Sequence, residues 1–181
     1  MWTMARCDEC GYEWEGDREA LVDQVRALPT ALATSLSRTL LGDNGDAVVR
    51  RRVTAGRWSA LEYACHLRDV VSFYDDRIRR ILASPDKPPT LPAVGFGALA
   101  EEAGYNEDDP AGVVEDLALA CATSADRLAA LPPSAWSSIG IGSGGDERTV
   151  LTLVRRLAHE GHHHVRDVDR VLRAVRERPI R

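Results

Sequence analysis

The sequence predicts an all-α protein, a four-helix bundle of about 180 residues with long connections between its helices. Three observations carry this expectation. Four long stretches place apolar residues at helical spacing. Each is bounded by a capping residue, glycine or proline. No segment has the sustained alternation of a convincing sheet.

The first helical stretch runs from Asp17 to Leu41, with Leu21, Val25, Leu28, Leu32 and Leu36 on its apolar face. Pro29 is expected to kink it or to start a second segment. Gly42-Asp43-Asn44-Gly45-Asp46 terminates it, and Arg50-Arg51-Arg52 beyond reads as a solvated basic face. The second helix starts at Ser59 as N-cap, with Glu62 as its capping-box partner and Trp58 packing back as a staple, and runs to about Ala83. Its apolar arc is Tyr63, Leu67, Val70, Tyr74, Ile78 and Ile81.

A long connection from Ser84 to Pro110 follows, rich in proline and glycine; such a loop carries function or crosses over the fold. Asp109 as N-cap and Pro110 at the first helical position open the third helix, about Ala111 to Leu131, with Val114, Leu117, Cys121 and Leu128 inside. Pro132-Pro133 ends it. The Gly/Ser-rich stretch to Arg148 lacks the context of a phosphate loop. Thr149 then begins the last helix, which runs to about Arg176 and meets no proline until Pro179.

Hydrophobic residues make up 44% and charged residues 28%, as in an ordinary globular domain. A net charge of -5 gives no basis for nucleic-acid binding by bulk attraction. No apolar run approaches a membrane span, and the start, Met1 to Arg6, lacks the apolar core of a signal peptide, so a cytoplasmic protein without membrane contact is expected. The organisation expected is one domain, a bundle over residues 17–181, with a knuckle segment over residues 1–16 packed on it.

Four of the five histidines lie in Ala158-His159-Glu160-Gly161-His162-His163-His164 on the last helix. Residues four apart share a face, about 40° from one another. Two such pairs exist, His159 with His163 and Glu160 with His164, pointing about 100° apart. Val150, Leu153, Leu157, Val168, Val171 and Val175 form the apolar stripe, and Glu160 and His164 fall on it. A carboxylate on a buried face is costly unless it is paired or binds a metal. His66, at the edge of the arc on the second helix, supplies a third donor. Two histidines and a carboxylate with an open position suit catalytic zinc, and also iron or nickel. A buried histidine–carboxylate hydrogen bond without metal is the alternative.

Of the four cysteines, Cys65 and Cys121 sit singly in helical patterns and read as small core residues. Cys7-Asp8-Glu9-Cys10-Gly11-Tyr12 is instead a knuckle of two thiols and a turn glycine, resembling half of a zinc ribbon or rubredoxin with no second half. His159 and His163, on the outward side, have the spacing of the histidine half of a Cys2His2 site, so Cys7, Cys10, His159 and His163 are expected to hold a structural zinc. A redox CxxC, or a zinc shared by two knuckles across a homodimer, are the alternatives.

Trp58-Ser59 before a helix, His66-Leu67-Arg68-Asp69 within it, and Glu160-x-x-x-His164-x-x-Asp167 late in the chain resemble the DinB/YfiT-like metalloenzyme superfamily, over nearly the whole chain after about Asp17. The resemblance implies a four-helix bundle holding a divalent metal through one histidine of the second helix and two ligands four apart on the last, here His66, Glu160 and His164. Glu160 stands where many members have histidine, as in the branch resembling mycothiol-dependent maleylpyruvate isomerase. The knuckle resembles that of an actinobacterial subgroup.

Relatives of this kind imply thiol chemistry. A low-molecular-weight thiol, such as mycothiol, bacillithiol or glutathione, would be activated by the metal for transfer to, or isomerisation of, a small electrophile. The alternatives are a hydrolase using metal-activated water and a non-catalytic metal-binding or interaction bundle. Asp69 and Asp167, each one turn beyond a candidate ligand, are expected to orient those ligands, or else to pair with nearby arginines. Nothing in the sequence names substrate-binding residues.

Overall fold

The computed structural model describes residues 6–40 and 44–177. The chain start before Arg6, the expected first-helix end and terminator at Leu41 to Asp43, and Pro179 lie outside the described residues.

Four long helices form the frame: α1 (Arg18–Leu40), α3 (Ala60–Leu82), α5 (Pro110–Ala129) and α6 (Val150–Glu177). Two short ones lie between them, α2 (Gly45–Val49) and α4 (Phe96–Glu102). The long helices neighbour one another in the cyclic order α1–α5–α3–α6, the arrangement expected of a four-helix bundle. Among the described residues, no helix is long and apolar enough to cross a membrane.

The ends of the helices follow their capping chemistry. Asp17 Oδ1 accepts the Ala20 amide at 2.8 Å. Ser59 and Glu62 form the full capping box: Ser59 Oγ accepts the Glu62 amide, and Glu62 Oε2 accepts the Ser59 amide. Asp109 caps α5 by accepting the Gly112 amide, with Pro110 at the first position. Thr149 Oγ1 accepts the Thr152 amide at the start of α6. Pro29 does not divide α1, which continues through it as a single helix.

The apolar faces meet as their spacing predicts. Leu21, Val25, Leu28, Leu32 and Leu36 of α1 are buried, as is the α6 stripe from Val150 to Val175. In α5 it is Val113 that is buried, while Val114 packs at the margin. α1 packs against α6 at Gly161, where a Cβ would lie 3.1 Å from the Leu28 methyls. A mid-helix glycine costs about 1 kcal/mol relative to alanine; here it lets Leu28 seat directly against the α6 backbone.

Two expectations are corrected. A small sheet exists: β1 (Ile139–Ile141) pairs antiparallel with β2 (Glu147–Thr149), with Gly140 opposite Arg148. It lies in the Gly/Ser-rich stretch and also binds the long connection, since the Leu91 amide donates to the Ile141 carbonyl and the Ile141 amide to that of Pro89. The strands are three residues each, too short for alternation to register. Second, the basic run is not merely a solvated face. Arg50 binds Asp46 and the carbonyls of Asn106 and Asp108, and Arg52 pairs with buried Glu62. Arg50 reaches Asn106 and Asp108, and Arg52 reaches Glu62, partners that a local charge count does not reveal.

Candidate metal centre

Two helices supply the donors. The capping box starts α3, and His66, two turns in, is buried, only 4% exposed. The apolar stripe of α6 turns Glu160 and His164 toward it. Glu160 Oε2 lies 3.2 Å from His164 Nε2 and 3.8 Å from His66 Nε2, and the two imidazoles meet edge to face at 4.7 Å. The sequence phase is therefore the spatial one. His66 and His164 each offer a ring nitrogen and Glu160 a carboxylate oxygen, and these three donor atoms lie within 4.8 Å of one another.

The surroundings tune these groups. Burial lowers the His66 imidazole, against the pull of Glu160. Burial would raise Glu160, but the hydrogen bonds from His164 and His66 outweigh it and hold the carboxylate well below its usual range. Burial would likewise lower His164, yet Asp167 and Glu160 outweigh it and move its proton affinity upward. The Nδ1–H of His164 donates to Asp167 Oδ2 at 2.9 Å, which leaves Nε2 for the shared position. His66 Nδ1 is buried without a hydrogen-bond partner among the described residues. Two Nε2 atoms and one ionised carboxylate oxygen converging in this way fit a divalent cation.

An aromatic collar surrounds the donors. Trp58 lies 5.1 Å and Phe96 4.7 Å from the His66 ring, and Tyr63 stacks on His164 at 5.3 Å. Phe73 meets Phe96 at 5.4 Å. Phe96, on α4, was not identified from sequence. Apart from Tyr105 it is the only aromatic in the long connection, and that was the available signal. Both aromatics turn out to reach α3.

The two candidate orienting carboxylates divide. Asp167 binds His164 as expected, and also faces His163 Nε2 at 3.4 Å. Asp69 does not hydrogen-bond His66; its oxygens accept from Arg68 Nε and from the Tyr105 hydroxyl. One turn of helix separates Asp69 from His66, but Arg68 and Tyr105 take up its carboxylate oxygens.

On the adjacent face of α6, Cys7, Cys10, His159 and His163 are also gathered, each offering a donor atom within 4.8 Å of the others. The side of α6 read as outward is thus the side the knuckle covers. His162 and Arg166, also missed, both donate to the Cys10 carbonyl, and Arg170 donates to that of Glu9. At four-residue spacing these three present one polar edge, easily mistaken for a solvated face. A cavity of about 600 Å³ lies between the knuckle and α1, lined by Tyr12, Gln24, Leu28, Leu157 and Gly161, and excludes the His66 cluster.

The model of the DinB superfamily matches residues 30–168, more than half of the chain. This protein belongs to the DinB superfamily. Among solved structures, this DinB chain is similar to YfiT from Bacillus subtilis, described as a probable metal-dependent hydrolase with an unusual four-helix bundle topology, at 16% identity, 86% coverage of each chain and a TM-score of 0.73. Curated proteins give no match. The resemblance read from His66, Glu160 and His164 and their flanking residues thus identified the superfamily, and the shared topology is that of the YfiT bundle.

Proposed function

We propose that this DinB protein is a divalent-metal-dependent enzyme that activates a low-molecular-weight thiol for transfer to, or isomerisation of, a small electrophile, with His66, Glu160 and His164 holding the metal. The observation that carries this reading is the convergence of His66 Nε2 and His164 Nε2 on Glu160 Oε2. When bound, the metal, zinc by donor type with nickel or iron as alternatives, supplies Lewis acidity that favours the deprotonated nucleophile near neutral pH.

The chain's own groups do the rest. Asp167 fixes the tautomer and rotation of His164, presenting Nε2 rather than Nδ1. Glu160, held ionised, contributes the negative charge of the donor set. Trp58, Tyr63 and Phe96 pack on the two imidazoles and Phe73 on Phe96, an apolar lining suited to an apolar electrophile. The second reading, a metal-dependent hydrolase, is supported by the description of YfiT.

The test is turnover of an alkyl halide and a conjugated alkene with glutathione, bacillithiol or mycothiol, beside ester hydrolysis without thiol. Metal-dependent turnover only with thiol supports the first reading, and turnover without thiol the second. Metal binding with neither would make the bundle a non-catalytic binder. His66→Ala is expected to abolish activity and remove one metal per chain.

A further inference from the structure

The knuckle is shaped before any ligand is considered. The Gly11 amide donates to the Cys7 carbonyl and the Cys7 amide to that of Tyr12, both at 2.8 Å, and Gly11 takes a left-handed φ of 73° that closes the turn. Cys7 and Cys10 each place their sulfur within 4.8 Å of a ring nitrogen of His159 and of His163, so both face α6.

The helix answers with two imidazoles. Cys7 Sγ lies 3.9 Å from His163 Nδ1. Zinc with sulfur at about 2.3 Å and nitrogen at about 2.0–2.1 Å in a tetrahedron has sulfur–nitrogen edges of about 3.6 Å. The far nitrogen of His163 faces Glu9 Oε2 at 3.5 Å and Asp167 Oδ2 at 3.4 Å, as the free nitrogen of a metal-binding histidine does. His159 Nε2 is buried with no hydrogen-bond partner among the described residues, while its ring packs on Trp14 at 4.5 Å and Tyr12 at 5.5 Å. A buried imidazole nitrogen left unpaired is costly, and a fourth bond to a cation removes the cost. The cysteines are unbonded to one another, so both thiols are available.

We propose that Cys7, Cys10, His159 and His163 of one chain form a closed, tetrahedral structural zinc site that clamps the N-terminal knuckle onto α6. Each thiol loses its proton on binding and both imidazoles bind as neutral bases, so zinc uptake releases protons to solvent. The site fills all four positions from protein and leaves none for a substrate, unlike the His66 cluster. The proposal does not rest on the catalytic reading.

Cobalt(II) tests it, because only thiolate ligands give an intense sulfur-to-cobalt charge-transfer band. Full-length protein stripped of metal and titrated with cobalt is expected to develop that band. It should persist in His66→Ala and disappear in His159→Ala/His163→Ala and in Cys7→Ser/Cys10→Ser. With zinc bound, Cys7, the partly exposed thiol of the pair, should resist a thiol reagent until a chelator is added, a measurement that needs no variant. Absence of the band in the unmodified protein, or its persistence in the double histidine variant, would overturn the assignment. So would isolation of Cys7 and Cys10 as a disulfide in protein that takes up no cobalt after reduction.

Discussion

Asp167 Oδ2 sits 2.9 Å from His164 Nδ1 and determines which nitrogen of that ring is offered to Glu160 and His66. Asp167→Asn keeps the shape but can present an amide N–H to Nδ1, favouring the wrong tautomer. Zinc affinity at the His66 cluster is expected to fall about 10–100-fold. Competition against a chromophoric chelator checks this, and unchanged affinity would remove Asp167 from the site.

Glu62 gives a pH signature away from the donors. Burial would raise its carboxyl, but Arg52 and the Ser59 amide outweigh burial and hold it below its ordinary value. A depressed folded-state value means stability fully present above the unfolded value of about 4.3 and lost as pH falls through the folded one. Glu62→Gln is expected to cost about 2 kcal/mol at neutral pH, with a smaller difference in acid, measured by urea unfolding across pH. An equal difference at all pH values would contradict the role given to its charge.

Gly140 packs where no side chain fits. A Cβ there would meet Ile81 Cγ1 and Leu91 Cδ2 at 2.9 Å. Overpacking of this kind costs about 1–3 kcal/mol, so Gly140→Ala should lower Tm by several degrees in calorimetry. A neutral effect would show that the hairpin is free to move off α3.

Cysteine chemistry should separate into two classes. Burial pushes the Cys65 and Cys121 thiols up to about 12, so neither reacts in the folded protein at neutral pH. Peptide mapping after alkylation of native, chelator-treated protein should find label on Cys7, which is partly exposed, and not on Cys65 or Cys121. Label on Cys121 would mean that α5 opens readily.

Most of the frame was legible because long amphipathic periods and caps are local signals. Ser59 with Glu62, and Asp109 with Pro110, marked the starts of α3 and α5 to within a residue. The facing of Glu160 and His164 followed from their place on the α6 stripe. What was missed depends on partners far away in the chain. The hairpin is too short for a pattern, Phe96 is one aromatic in a long loop, and Arg52 shows its role only beside Glu62. Of the two readings of Asp69, the pairing with a nearby arginine is the one observed, at Arg68, while Tyr105 is a partner invisible in the local spacing.

The seat of Leu28 on Gly161 has a consequence for the whole histidine run. Glu160 and His162 on either side carry side chains far larger than the hydrogen that Leu28 meets at Gly161, so a rotation that swung either of them onto Leu28 would have to displace it. A missing side chain thereby acts as the index mark of a dial, apportioning consecutive imidazoles between an inner and an outer clientele. Filling that notch would blur the apportionment itself, before any donor atom had been changed.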